Sequence, residues 1–317
     1  MILRLFVFLA VLVAVTQPVL AWNGLGHMEV AAIAWEALTP NAKEQAGKLL
    51  ALNPLYEKWT DNVAPADRDR IAFIKASQWA DVIKRLSPYQ PDGLPGSNGN
   101  RPIPGPDASR NIGYSDHLQH KYWHFIDMPF SPDNTTLHSS DVPNAQTQIA
   151  LLRTALSDKR TSSDIRSYDL VWLIHLVGDV HQPLHATARF TRDHPEGDQG
   201  GNLVLIECGQ GCASIKNLHA FWDGVMGANN SAEFAAEASA RLPKADPVKG
   251  AIDDEAIWIA ESVALAQEVV YRDVPADTRA MPVRLSAEYK VKARSAAERQ
   301  ISLAGARLAR LLNQALR

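Results

Sequence analysis

The sequence predicts a mainly α-helical protein, one large domain over residues 22–317 that carries a single short β-hairpin and follows a short leader. Three observations lead there. Long Ala- and Leu-rich segments repeat their apolar residues at three- and four-residue steps, the spacing of a helix face packed on a core. β-branched runs are few. Pro and Gly gather in one block, Ser87 to Asn111 (SPYQPDGLPGSNGNRPIPGPDASRN), and do not form a linker between two separately patterned halves. That block cannot be helical and reads as a long surface excursion.

In chain order, residues 1–21 read as a secretory signal, with Arg4 as the positive start, Leu5 to Val15 as the apolar run and Val19-Leu20-Ala21 as the cleavage site. The mature chain is then expected to begin at Trp22 and to reach the periplasm or the medium. An uncleaved anchor is the alternative, but the run is short for a bilayer, and no later segment reaches about 18 uninterrupted apolar residues. Helices are expected over Glu29–Ala51, Ile71–Lys84, Asn144–Ser157, Ser167–Val180, Ala232–Leu242, Ile252–Val269 and Ala287–Leu316. In the last, Ile301, Ala304, Leu308, Leu311, Leu312 and Ala315 form a core-facing stripe. Its Arg-rich face reads as solvated, and membrane-surface binding is the sharper alternative. Cys208 and Cys212 stand between two β-like runs, Leu203–Glu207 and Ala213–Leu218, which predicts a disulfide across a hairpin in an exported protein. A soft metal pair is the competing reading, although no further Cys is present to complete a thiolate site.

The formal charge of −3 becomes −4 once Arg4 leaves with the signal, which argues against a sequence-independent nucleic-acid coat protein. Three bound divalent cations would reverse that sign and focus positive charge where they sit.

Chemistry concentrates in LIHLVGDVHQPLH, residues 173–185. His175 and Asp179 are four apart and share one helix face, where an imidazole and a carboxylate can address one cation. Pro183 ends that helix, so His185 is free to face a different cation. The spacing recurs in NLHAFWD: His219 and Asp223, with His185, make a two-imidazole, one-carboxylate set with room for water or substrate. Asp81 in QWAD and His124 in KYWHFID stand in apolar settings, where a buried polar group needs a partner. WNGLGH places His27 five residues after Trp22, and a free α-amine can deprotonate and ligate zinc with its own carbonyl oxygen. Each residue alone has a bland reading as a hydrogen-bonded core side chain or a helix decoration. Nine candidates together predict a multinuclear metal centre. His181 is expected to supply a supporting hydrogen bond or cap the helix end, and His117, His120, His138 and His194 read as solvent-facing.

At these residues the chain resembles the zinc-dependent single-strand-specific nucleases of the mung-bean nuclease type, which are related in fold to bacterial zinc phospholipase C. WNGLGH, QWAD, HFID, HLVGDVHQPLH, GGN and LHAFWD carry the resemblance, and it runs over essentially the whole chain from Trp22. It implies three zinc ions: one on Asp81, His124, His175 and Asp179; a second on the shared Asp179, His27 and the Trp22 amine and carbonyl; a third on His185, His219 and Asp223. It further implies that hydroxide between the close pair attacks phosphorus, that the third zinc stabilises the departing 3′ oxygen, and that Asp81 orients the nucleophile. By the same resemblance Phe125 is the platform on which an unpaired base stacks, Asp127 bonds the base edge, Lys84 steadies the phosphate and Asn202 contacts it.

The leading expectation is thus an exported trinuclear zinc phosphodiesterase on single-stranded DNA and RNA, with 3′-phosphate removal from nucleotides as a side activity. It is expected to be a monomer without stable membrane association. A zinc phospholipase C or phosphomonoesterase on the same fold is the first alternative, and a non-catalytic zinc-stabilised binding protein the second. The Pro/Gly block looks longer than the family pattern and is expected to affect access to the cleft.

Overall fold

The computed structural model describes residues 22–209, 212–276, 278 and 281–317. The signal read over residues 1–21, with its cleavage site, lies outside the described residues.

The chain opens with α1 (Gly24–Ala37), whose N-terminus is capped by the Asn23 side chain accepting from the Gly26 N–H. The helix expected over Glu29–Ala51 is two helices. Pro40 disfavours the helical conformation at the residue before it, so the chain extends through Leu38 and Thr39 and restarts as α2 (Pro40–Leu50) with Thr39 as cap. A short α3 (Tyr56–Thr60) leads to α4 (Arg68–Ala76) and then α5 (Trp79–Val82), followed by a tight turn over Ile83–Arg85. These two helices stand where one was expected over Ile71–Lys84. The break has a cause at the site: the Ser77 carbonyl accepts from His175 Nδ1 at 2.6 Å. The Asp81 N–H, which a continuous helix would have aimed at Ser77, bonds the Gln78 carbonyl instead.

At the centre lies α7 (Ser163–Asp179), which follows α6 (Ala145–Ser157) and is buried at every position from Ser167 to Asp179. A helix apolar all round belongs inside a core, and α1, α2, α6 and α12 pack about it. Short helices α8 (Leu218–Asp223), α9 (Ala232–Ser239) and α10 (Pro247–Gly250) precede α11 (Glu255–Leu265). The last helix, α12 (Ala287–Ala315), buries Ile301, Ala304, Leu308, Leu311 and Leu312 completely, the stripe read from the sequence. None of the described helices is long and apolar enough to cross a membrane.

The β-structure is small and arranged differently from a plain hairpin. Strand β1 (Met128–Phe130) pairs in parallel with β2 (Thr187–Arg189). The runs around the cysteines do meet, through Ile206 N–H to Lys216 O and an antiparallel bridge between Leu205 and Asn217. The ladder of β3 (Ile206–Glu207), however, is parallel to β4 (Val283–Arg284), a segment far along the chain. Residues 212–215 turn on themselves, with Ile215 N–H bonding Cys212 O, which leaves that run too short for a paired strand. The Cys208–Cys212 disulfide is formed, with its Cα atoms 5.5 Å apart.

The Pro/Gly block is a folded excursion. Asn111 donates to Asp169 Oδ1 and the Tyr114 hydroxyl meets Ser167, both partners on α7. Lys121 donates to Asn98 O at 3.0 Å, and Arg101 pairs with Asp141 at 2.8 Å. These contacts turn Gly96–Pro102 into one wall of the main cleft.

Candidate metal centre

Two groups of His and Asp side chains converge where α1, α5, α7, α8 and the turns at residues 121–124 and 183–185 meet. In the first group Asp179, the last residue of α7, has Oδ2 at 3.1 Å from His124 Nδ1 and 3.2 Å from His175 Nε2, and Oδ1 at 3.3 Å from His27 Nε2. Asp81 Oδ1 stands 3.8 Å from His175 Nε2 and 4.0 Å from His124 Nδ1. The His27 and His175 rings stack at 3.9 Å. Gly178 permits this approach, because a Cβ there would lie 2.8 Å from His27 Nδ1.

The second group is His185, His219 and Asp223. The two Nε2 atoms are 3.1 Å apart, and Asp223 lies 3.9 Å from His185 and 3.4 Å from His219. Each member is fixed from behind. His185 Nδ1 donates to His124 O at 2.9 Å, His219 Nδ1 donates to Gly200 O at 2.7 Å, and Gln182 donates to Asp223 Oδ1 at 2.7 Å. Gly200 has φ +58 and a Cβ would sit 2.2 Å from Leu184 O, so only glycine presents that carbonyl comfortably.

The hydrogen bonds decide the tautomers. A carbonyl oxygen only accepts, so Nδ1 carries the proton in His175, His185 and His219, and each Nε2 turns a lone pair inward. The Nε2 lone pairs of His185 and His219 then confront each other at 3.1 Å, and that of His175 faces His124 Nδ1 at 3.0 Å, a ring whose tautomer no carbonyl fixes. Converging lone pairs at these distances call for a cation between them. Among the described residues His27 Nδ1 and His124 Nε2 are buried without a hydrogen-bond partner, and His27 Nε2 and Asp179 Oδ1 have only each other, at 3.3 Å; a buried polar atom left unsatisfied costs about 1–3 kcal/mol. Tetrahedral zinc with bonds of about 2.0–2.1 Å spaces its ligand atoms roughly 3.3 Å apart. The donor set and its spacing therefore fit zinc.

The titration behaviour agrees with that use. Burial, with the neighbouring His175, pushes the His27 imidazole down to about 4. Burial and Lys84 bring His124 to about 3, and burial and His185 bring His219 to about 3. These rings are neutral at physiological pH, the form in which an imidazole can accept a metal ion. Burial works against the charge on Asp179, yet His175, His124 and His27 hold its pKa well below the ordinary carboxylate value. His175 differs: burial opposes its protonation, but Asp179 and Asp81 override it and raise that ring, so a proton competes with a metal ion for its Nε2.

Beside the second group opens a cleft of about 500 Å³, lined by His185, His219, Phe125, Asp127, Asn202 and the Gly96–Pro102 wall. Burial pushes Asp127 up to about 7, with Asp198 and Asp141 adding to it. Lys84 Nζ lies 2.8 Å from Asp81 Oδ1, nearly buried. Asn202 spends one amide N–H on Gln199 O and keeps the other. Trp22 is buried near the centre: its Cβ packs on Gly26, and the next residue, Asn23, donates its N–H to Asp223 O at 2.9 Å.

His181 stands apart from both groups. It donates Nδ1–H to Val177 O at 2.7 Å and accepts from Arg307 at 2.9 Å, which makes it part of the α7–α12 packing. His117 and His138 are exposed as expected, but His120 and His194 are buried. Their polar sequence context conceals this, because the 87–118 excursion closes over His120 and a tight turn between Thr191 and His194 encloses the other. The sequence reading also missed Gln182, although it lies inside the motif, since its partner Asp223 is 41 residues away.

The sequence profile of the S1/P1 Nuclease family matches residues 22–317. Among curated proteins, Endonuclease 5 of Arabidopsis thaliana is similar, 23% identical over 329 residues, which covers 96% of this chain and 93% of that protein. The chain therefore belongs to the S1/P1 nuclease family: it is a nuclease.

Proposed function

We propose that this protein is an exported, zinc-dependent endonuclease that hydrolyses single-stranded DNA and RNA to 5′-phosphate products and also removes 3′-phosphate from nucleotides. The observation that carries the reading is the set of inward Nε2 lone pairs of His175, His185 and His219 beside an aromatic-walled cleft. His124, His175, Asp81 and Asp179 would hold one zinc; Asp179, His27 and the Trp22 amine and carbonyl a second; His185, His219 and Asp223 a third. Such ions lower the pKa of bound water and stabilise charge on the entering and leaving oxygens of a phosphate ester.

The chain's own residues do the rest. Lys84 is pinned by Asp81, so its ammonium is held where a phosphate oxygen would arrive. Phe125 offers a ring face that any unpaired base can use, which favours single strands with little sequence preference. Asp127, titrating near neutrality, can present either a donor or an acceptor to a base edge. Asn202 lines the same cleft, and its amide has a second N–H beyond the one given to Gln199 O. The disulfide suits an oxidising compartment.

The test is digestion of a single-stranded oligonucleotide by zinc-loaded protein beginning at Trp22. Products with 5′-phosphate ends, abolished by chelation, are expected. Faster release of phosphocholine from phosphatidylcholine than of nucleotides would move the reading to a phospholipase C. Phe125→Ala is expected to lower single-strand cleavage by about 1–3 kcal/mol of stacking while zinc content stays level; equal losses of both would remove the platform role.

A further inference from the structure

A second cavity, of about 340 Å³, borders the centre on Asp81 and shares no lining residue with the Phe125 cleft. Its wall is Asn23, Gln78, Asp81, Arg85, Asn229 and Asn230 together with small and apolar groups, and among the described residues no aromatic ring lines it. The two cavities therefore meet the candidate metal centre through different ligands, His185 and His219 in one and Asp81 in the other.

An internal phosphodiester has a nucleoside on each side, and a site that cleaves it must accommodate both. A nucleoside 3′-phosphate needs room for one. The Phe125 cleft, with its ring face, accounts for a single base. We propose that the amide-lined cavity beside Asp81 is the subsite for the nucleotide across the scissile bond, the one that leaves with the 5′-phosphate. This rests on the nuclease reading above and assigns the other half of its substrate.

The chemistry of the wall supports the assignment. Four carboxamide side chains offer both donors and acceptors to ribose hydroxyls and to any base edge, without the stacking that would select a purine or pyrimidine. Asn23 and Asn229 also hold the wall together, donating to Gly227 O and accepting from Ser231 N–H respectively. The cavity volume is at the scale of one small-molecule ligand. Arg85 supplies the charge. Its neighbour Lys84 is committed to Asp81 at 2.8 Å, whereas Arg85 is exposed and forms no ion pair among the described residues. A guanidinium at the outer edge of this cavity is placed for the next phosphate along the strand, which only an oligonucleotide possesses.

The experiment compares wild type, Arg85→Ala and Asn230→Ala on tetra-adenylate and on adenosine 3′-phosphate, the latter used as substrate or as competitive inhibitor, with zinc content measured throughout. Arg85→Ala is expected to raise KM for the tetramer about five- to tenfold at low salt and to make its salt dependence shallower by about 0.7 in log–log slope, the loss of one phosphate contact on a single strand. The constant for adenosine 3′-phosphate is expected to stay within about twofold, and zinc content to stay unchanged. Asn230→Ala, which alters the wall without altering charge, is expected to raise KM for the tetramer with its salt slope intact. Unchanged KM and slope for both variants would overturn the subsite, as would equal losses on both substrates. Failure of the wild-type enzyme to cleave the tetramer at all would instead remove the nuclease reading, and the subsite with it.

Discussion

The two groups of candidate ligands are built from the same residue types and differ in how completely the protein fixes them from behind: in the first, Ser77 O holds His175 and Lys84 holds Asp81, but among the described residues nothing holds His27 so. In the group around Asp179, one carboxylate lies within 3.3 Å of three imidazoles, and among the described residues His27 Nδ1 has no hydrogen-bond partner. In the group around Asp223, every member has a protein partner behind it: His124 O, Gly200 O and the Gln182 amide. The difference teaches which part of the centre the protein can orient alone. The second group is pre-organised by hydrogen bonds, whereas the first leaves buried polar atoms that a cation must satisfy.

Removing the shared carboxylate should expose that asymmetry most strongly. Asp179→Asn is expected to lower activity by roughly three orders of magnitude or more, because charge stabilisation at a reacting centre of this kind is worth several kcal/mol. Metal analysis is expected to show more than one ion lost per chain, against about one for Asp223→Asn. Equal stoichiometries would remove the bridging role proposed for Asp179.

Chelation tests the same contrast through stability. An ion present at about a thousandfold over its Kd stabilises the fold by about 4 kcal/mol, so the melting temperature of the stripped protein should fall by several degrees. Amide exchange should rise first in α1 around His27 and least around His219. The opposite order would mean that the hydrogen bonds behind the second group do not hold it without metal.

Gln182→Leu sharpens the comparison from the other side. It removes the donor that fixes Asp223 and leaves the Asp179 group untouched. Affinity for one zinc is expected to fall about 10–100-fold, the usual cost of losing such a supporting contact, and titration with a competing chelator would read it. A uniform weakening of all sites would sink the idea that the two groups are oriented separately.

Much of this centre was legible in the sequence because its spacing is local. His175 and Asp179, or His219 and Asp223, share a helix face whatever the rest of the chain does. The stripe of α12 was legible for the same reason. What remained hidden depends on distant partners. The parallel pairing of Ile206–Glu207 with Val283–Arg284 spans most of the C-terminal third, and no local pattern announces it. The break after Ala76 reflects a Ser77 carbonyl drawn to His175, almost a hundred residues away. His120 was hidden because a Pro/Gly-rich excursion that looks like surface folds down over it.

His120 supplies the last and smallest test, since it is an imidazole between two carboxylates that a proton satisfies. Nδ1 lies 2.6 Å from Asp92 Oδ2 and Nε2 lies 3.1 Å from Asp116 Oδ2, so both ring nitrogens face acceptors, and among the described residues no third ligand converges on them. The ring stacks on Trp123 at 3.7 Å, Asp92 also receives the Tyr122 hydroxyl, and Asp116 receives that of Tyr168 at 2.9 Å. Burial opposes the charged ring, but Asp116 and Asp92 override it and raise its pKa. Burial likewise opposes charge on Asp92, and His120 overrides it to lower that pKa. The imidazolium's contribution to stability is therefore complete below the unfolded histidine value of about 6.5 and is lost as pH rises through the folded value. The contribution of Asp92 is complete above about 3.9 and is lost as pH falls through its lowered folded value. His120→Gln should cost about 1.5–3 kcal/mol, the worth of a charged hydrogen bond, between about pH 4 and 6.5. The cost should shrink at alkaline pH with zinc content unchanged, as followed by denaturant unfolding of both proteins across the range. A cost independent of pH would show that a neutral ring serves as well here, and that this cluster differs from the metal centre in packing alone.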